Sequence, residues 1–230
     1  MSNQWKDFLS DSKRAMLFVF LVMSGFVITS LFTRFMIWNE GRPGFTFDDP
    51  LIKCLHPVNL SRFTMSLTLI PIFIGMVLIF RKPAGAVYFF FGVIIICSLR
   101  TITLYLIPLE PPPGIIPLTD PVIEKLFYGN NVLLKDLFFS GHTANIVIIG
   151  LLSDSKLYRN FMFLCAGVVG LFLIWQHAHY SIDVIAAPFF ALLAYKMCIF
   201  TGNKTLLKEC TSFQCHGSIS GRYQRLDKVT

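Results

Sequence analysis

Ala15-Met-Leu-Phe-Val-Phe-Leu-Val-Met-Ser-Gly-Phe-Val-Ile-Thr-Ser-Leu-Phe-Thr33 runs without a charge between Arg14 and Arg34. A helix that crosses a bilayer needs about 20 mostly apolar residues, with roughly 17 as a lower limit, so this stretch crosses. It exceeds the signal-peptide core of about 7 to 15 residues, and no A-x-A-like site follows it, so it reads as a retained helix. Further apolar runs are Phe63–Phe80, Pro83–Leu99 extending towards Ile107, Leu137–Ser153, Phe161–Gln176 and about Ser181–Phe200. The fold class expected is therefore all-α: a polytopic membrane protein with six transmembrane helices in one bundle. A transmembrane barrel would show alternating segments of about 10 residues, and no repeat of solenoid period is present.

Composition points the same way. The chain is 54% hydrophobic and 14% charged over its 230 residues, whereas a soluble domain carries about 25% charged residues to cover its surface. This excludes both disorder and an ordinary soluble globule. The net charge of +7 comes from short basic clusters between apolar runs and not from one stripe, so anionic lipid headgroups are the expected partner and nucleic acid is not. Cys97, Cys165 and Cys198 fall inside apolar runs, where thiols behave as small hydrophobes. With six spans both termini share a side, and that side collects 12 Lys and Arg against 7 on the other, Lys196 left aside. The positive-inside rule then puts both termini in the cytoplasm. Residues 1–14 read as a cytoplasmic N-terminus, 15–200 as the membrane domain and 201–230 as a cytoplasmic tail. The long connections Arg34–Arg62 and about Pro108–Asp136, and the short one near His177–Tyr180, lie on the far side.

Ionisable residues at membrane depth are costly and mark function by default. His142 sits in Asp136-Leu-Phe-Phe-Ser-Gly-His-Thr143, and His179 and Asp183 in His177-Ala-His-Tyr-Ser-Ile-Asp183. Spans four and five separate the two motifs, which returns His179 to the interface that His142 meets. His179 and Asp183 are four apart, on one helix face, so the carboxylate can accept a hydrogen bond from one ring nitrogen and leave the other more basic. An oriented imidazole can attack phosphorus while a second protonates the departing alkoxide. Free amides at the two helix N-termini favour a bound anion. A lone His-x-x-x-Asp is common and proves little. Two histidines and an aspartate on one interface, with Ser140-Gly141 before His142, make a much narrower pattern.

Ser-Gly-His142-Thr and His179-Tyr-Ser-Ile-Asp183 resemble the second and third signatures of the phosphatidic acid phosphatase type 2 superfamily, and more closely its sphingomyelin synthase branch. Arg100-Thr-Ile-Thr-Leu-Tyr105 leading to Pro108-Leu-Glu-Pro-Pro-Pro113 is similar to a further element of that branch, as are Asp136 and His177. The Arg42–Pro50 loop is a weaker match to the first extracytoplasmic element. The resemblance covers about Arg100–Ala194. It implies a six-helix membrane bundle with His142, His179 and Asp183 as catalytic triad. Arg100, Lys135, Asp136, Ser140, Gly141 and Tyr180 are the candidates for substrate binding. The broader phosphatase signature also places a Ser-Arg six or seven residues before its nucleophilic histidine, where this chain has Phe172 and Leu173. A phosphomonoester carries nearly two negative charges and a diester one, so the loss of an arginine favours the diester.

The expected function is lipid phosphotransfer. His179 takes a phospho-headgroup from a glycerophospholipid such as phosphatidylcholine or phosphatidylethanolamine, and the hydroxyl of ceramide or diacylglycerol then takes it from His179. No metal or other cofactor is implied. The rival readings are a lipid phosphate phosphatase using the same triad and, from another class, a transporter or scramblase-like bundle. His56 and His216 read as solvated, and the Cys210, Cys215, His216 cluster is too sparse for zinc. Cys210 and Cys215 are candidates for acylation. Pro111–Gly114 reads as a rigid extended turn, with a lid or wall over the site as its functional alternative.

Overall fold

The structure, a computed structural model, describes residues 3–118 and 132–204. Lys125 and the tail beyond 204, with Cys210, Cys215 and His216, lie outside the described residues. Eight helices are described: α1 Asn3–Ser10, α2 Ser12–Glu40, α3 Pro50–Lys53, α4 Ser61–Ile79, α5 Pro83–Leu106, α6 Gly141–Leu152, α7 Lys156–Trp175 and α8 Ser181–Lys204. The described residues form no strand, only an isolated parallel bridge between Phe45 and Leu109. The all-α expectation holds. Five helices, α2, α4, α5, α7 and α8, are long and apolar enough to cross a membrane, which makes this a multi-pass membrane protein.

The expected span Leu137–Ser153 takes a different form. Its helix, α6, has only 12 residues, or about 18 Å at 1.5 Å per residue, short of the roughly 30 Å hydrocarbon core. The Ser140 side chain caps it by accepting from the Thr143 amide, and the chain before it is not helical. Leu137, Phe139 and Ser140 are nonetheless buried. Non-helical backbone at membrane depth is tolerated where protein surrounds it, and here α6 is the centre of the bundle. Ile146, Val147, Ile148 and Ile149 are all buried, so most of this short helix meets protein, as an apolar helix with little polar face does, and its His142–Asn145 face opens on a cavity. α4 and α7 approach it closely. A Cβ on Gly75 would collide with Ile149 and lie 3.0 Å from the Tyr158 hydroxyl, and that hydroxyl donates to the Pro71 carbonyl of α4.

Cys165 and Cys198 are buried free thiols in this core, and Tyr88 is almost fully buried while Phe89, Phe90 and Phe91 pack between helices. α1 lies on the bundle through Trp5 and Phe8, which meet Phe18 edge-on. Asp11 then caps α2 by accepting from the Lys13 and Arg14 amides.

Side-chain ties sort the connections into two ends. At one end the Trp5 indole donates to the Phe80 carbonyl at 2.9 Å, Lys82 pairs with Asp154 at 2.8 Å, and Gly202 of α8 lies against Tyr88. At the other end Glu40 accepts from the Leu134 and Lys135 amides, and Phe45 exchanges backbone bonds with Pro108 and Glu110. In a cysteine-free background, single cysteines at 81 and 155 should therefore label from one side of the membrane and those at 56 and 111 from the other. Labelling of 81 and 56 from the same side would overturn this arrangement.

Candidate active site

The second end carries the polar groups. At the close of α7 the Gln176 side chain is fully buried. Its Nε2 donates to Ser61 Oγ at 2.8 Å and to the Ile116 carbonyl at 3.0 Å, and its Oε1 accepts from the Leu60 amide at 3.0 Å. One amide thus joins α4, α7 and the proline-rich segment. His177 follows with φ of 57°, a left-handed conformation that commonly ends a helix but is uncommon for a residue other than glycine. Its Nδ1 donates to the Pro113 carbonyl at 2.8 Å. The Pro111–Gly114 turn is thereby braced on the segment that carries His179. The Ala178 amide returns to the Leu173 carbonyl at 2.9 Å, and the chain reverses into α8 with His179 at the bend.

His179 Nδ1 lies 3.4 Å from Asp183 Oδ2, the carboxylate is fully buried, and the same oxygen accepts from the Tyr180 amide at 3.1 Å. This is the one-turn pairing that the spacing predicts. The His142 and His179 ring centroids are 6.4 Å apart. The Ser140 amide donates to the backbone carbonyl of Asp183 at 3.1 Å, tying the start of α6 directly to the first turn of α8. His142, His179 and Asp183 are thus brought together although far apart in sequence.

The six substrate-binding candidates divide. Arg100 is buried and forms an ion pair with Asp136, and its guanidinium lies 5.3 Å from the Phe32 ring centre. Gly141 sits against it so closely that a Cβ would overlap the guanidinium, which gives the Ser-Gly-His glycine a steric reason. Arg100, Asp136, Gly141 and His142 border a cavity of about 410 Å³ that continues between α4, α5 and α6 to Met76, Phe89 and Leu152. Ser140 is a helix cap. Lys135 turns to the outer connections, donating to Glu110 at 2.8 Å and to the Arg42 carbonyl at 2.6 Å. Tyr180 is fully buried, its hydroxyl donating to the Glu110 carbonyl at 3.1 Å and accepting from the Phe47 amide at 3.4 Å. Lys135 and Tyr180 therefore hold the outer connections together.

Asp49 and Gln176 carry weight that the sequence reading did not give them. Asp49 caps α3, and its second oxygen accepts from the Ser181 amide at 2.6 Å. Although burial opposes ionisation, the Ser181 hydrogen bonds hold its carboxyl below the usual carboxylate range. The weaker Arg42–Pro50 match contained the signal, since Asp49-Pro50 is a cap followed by a first-turn proline. Gln176 offered only the hint of an amide at the end of an apolar run.

Residues 135–200 match the family model described as PAP2 superfamily C-terminal. The segment holds His142, His179 and Asp183, together with Lys135 and Asp136. No curated protein matches the chain. Overbuilding at Gly141 is expected to cost about 1–3 kcal/mol, so Gly141→Ala should lower the thermal midpoint in detergent, and an unchanged midpoint would show that Arg100 has room to retreat. Glu110 gives a second test. The Lys135 hydrogen bond, with the Gly44 amide, holds its carboxyl below the usual range, so its tie is present above the ordinary carboxylate pKa and is lost as pH falls through the lowered value. Glu110→Gln should speed amide exchange at residues 44 and 45 at pH 7 by about tenfold, and the difference from the unmodified protein should vanish at acid pH. Equal exchange at pH 7 would remove the role of this tie. The match supports the PAP2 superfamily and, with the membrane helices, a lipid enzyme of the phosphatase or phosphotransferase type.

Proposed function

We propose that the protein is a membrane lipid phosphotransferase that moves a phosphocholine- or phosphoethanolamine-type headgroup from a glycerophospholipid to a lipid hydroxyl such as that of ceramide. The observation that carries this reading is the pair His142 and His179, 6.4 Å apart, with Asp183 behind the second and an apolar cavity below the first. Reacting atoms meet at about 3–3.5 Å, so a single phosphoryl group fits between the rings. His179, held at Nδ1 by Asp183, attacks phosphorus through Nε2. The bond to the diacylglycerol oxygen breaks as His142 gives that oxygen a proton. His142, now neutral, takes the proton of the acceptor hydroxyl, whose oxygen displaces His179 from phosphorus. Headgroup and proton are both conserved, and the products are diacylglycerol and the new phospholipid.

Charge supports a diester substrate. Arg100 pairs with Asp136 and Lys135 with Glu110, so neither candidate cation offers an uncompensated charge to a dianionic monoester. Leu173, fully buried, stands where the phosphatase signature has its arginine. Apolar walls limit water and admit a second lipid at high local concentration, favouring transfer over hydrolysis. Apart from Thr68 and Asn145, the cavity beyond His142 is lined by apolar residues and Gly92, unlike a continuous polar path for transport. The charge asymmetry of the connections supports placing the site at the extracytoplasmic or luminal leaflet, with cytoplasmic termini.

Purified protein in vesicles of phosphatidylcholine or phosphatidylethanolamine, with and without ceramide or a diacylglycerol whose chains differ in mass from the donor's, gives the test by mass spectrometry. Headgroup transfer is expected, with His142→Ala and His179→Ala inactive and Asp183→Asn slower by at least about a hundredfold. Rapid phosphate release from phosphatidic acid without transfer to either alcohol would make the protein a phosphatase instead.

A further inference from the structure

The cavity beneath His142 contains a polar side chain that the proposed chemistry leaves unused. Asn145 follows His142 by three residues on α6, hence on the same face and about 4.5 Å deeper along the axis. It lines the cavity and is exposed within a helix whose other residues from Thr143 to Gly150 are buried. Of the other polar side chains that line the cavity, His142 belongs to the proposed chemistry and the rest have partners. Arg100 and Asp136 pair with each other, and the Thr68 hydroxyl donates to the Thr64 carbonyl at 2.7 Å. The Asn145 side-chain amide has no hydrogen-bond partner among the described residues. The cavity that it lines is bordered also by Met65, Leu69, Ile148 and Ile149. An amide among apolar side chains at membrane depth loses free energy unless something bonds to it.

A lipid placed with its reacting oxygen at His142 and its chains in this cavity carries its acyl linkage only a few bonds from that oxygen. That distance is of the same order as the single turn from His142 to Asn145. We infer that Asn145 reads the acyl linkage of the lipid alcohol, accepting at Oδ1 from the N–H that only an amide linkage supplies while Nδ2 donates to the neighbouring second hydroxyl of a sphingoid alcohol; in an ester-linked alcohol Nδ2 donates to the ester carbonyl and Oδ1 is left unpaired. Asn145 is a specificity-determining residue and takes no part in proton or phosphoryl transfer. An amide-linked alcohol satisfies both ends of the side chain, and an ester-linked one satisfies the donor alone. A site built to pair with a hydrogen-bonding group holds the analogue that lacks it less tightly, because its own group is then left unpaired, which favours release of the ester-linked diacylglycerol and its replacement by the amide-linked acceptor. This inference rests on the phosphotransferase reading for its kinetic arm and stands apart from it in its binding arm.

The kinetic arm uses full-length protein in phosphatidylcholine vesicles with ceramide, or diacylglycerol whose acyl chains differ in mass from those of the vesicle lipid, as acceptor. Asn145→Leu is expected to raise KM for ceramide about tenfold and for diacylglycerol about threefold, with kcat changed less than either, and Asn145→Gln is expected to recover part of the ceramide preference. A fall in kcat at unchanged KM, or an equal KM change for both acceptors, would overturn the inference. The binding arm uses the His179→Ala protein with fluorescent short-chain ceramide, the matching diacylglycerol and an alkyl hydrocarbon carrying the same fluorophore. Adding Asn145→Leu should weaken ceramide binding about tenfold and leave hydrocarbon binding within twofold. Ceramide selectivity lost with Asn145, in a protein that transfers no headgroup, would sink the phosphotransferase reading alone. Headgroup transfer with ceramide KM and affinity within twofold of the unmodified protein in Asn145→Leu would sink this inference alone.

Discussion

The buried ion pair of Arg100 with Asp136 sets the geometry on which the site depends. An unpaired buried charge costs several kcal/mol, and each partner here compensates the other. The pair joins the last turns of α5 to the extended segment that leads into α6. Because the guanidinium lies against Gly141, it also fixes where α6 begins. His142 is the next residue, and its position follows. The bond from the Ser140 amide to the Asp183 carbonyl then carries that placement across to α8 and its histidine.

Around this centre the outer connections act as one brace. Glu40, Glu110, Asp49 and Gln176 each accept backbone amides from a segment remote in sequence. Such bonds cross between connections that could otherwise move separately. Their effect on chemistry is indirect: they hold the reversal at His177 through His179, where a non-glycine residue sits in a left-handed conformation. Strain of this sort persists only where surrounding contacts determine it. The Pro113 carbonyl on the His177 ring and the Asp49 carboxylate on the Ser181 amide supply those contacts from either flank.

The cavity and the brace meet the histidine pair differently: the cavity is bordered by His142, and the brace holds the reversal that carries His179. At the cavity, α4, α5 and α6 leave an apolar volume open to chains. In the brace, polar connections hold the motif segments in place. In the proposed function, a phosphodiester at the boundary has its chains in the first environment and its headgroup facing the second.

Hydropathy alone determined that the chain is a helical membrane protein, because about 20 apolar residues in a row have few other stable settings than a bilayer. Spacing alone determined that His179 and Asp183 share a helix face, and span parity that His142 joins them at one end. Sequence overstated α6: Leu137–Ser153 is apolar enough to cross, and apolarity does not distinguish a lipid-facing helix from one enclosed by others. Only the tertiary structure shortened it to Gly141–Leu152 and made it the bundle's centre. It likewise decided the fates of Lys135 and Tyr180. A basic residue and a phenol beside a motif look alike whether they face a ligand or a neighbouring loop, and their partners Glu110, Arg42 and Phe47 lie at separations no local pattern encodes. Asp49, Gln176 and Asn145 escaped for the same reason, since a side chain's role here is fixed by which distant backbone or cavity it meets, and that is a property of packing.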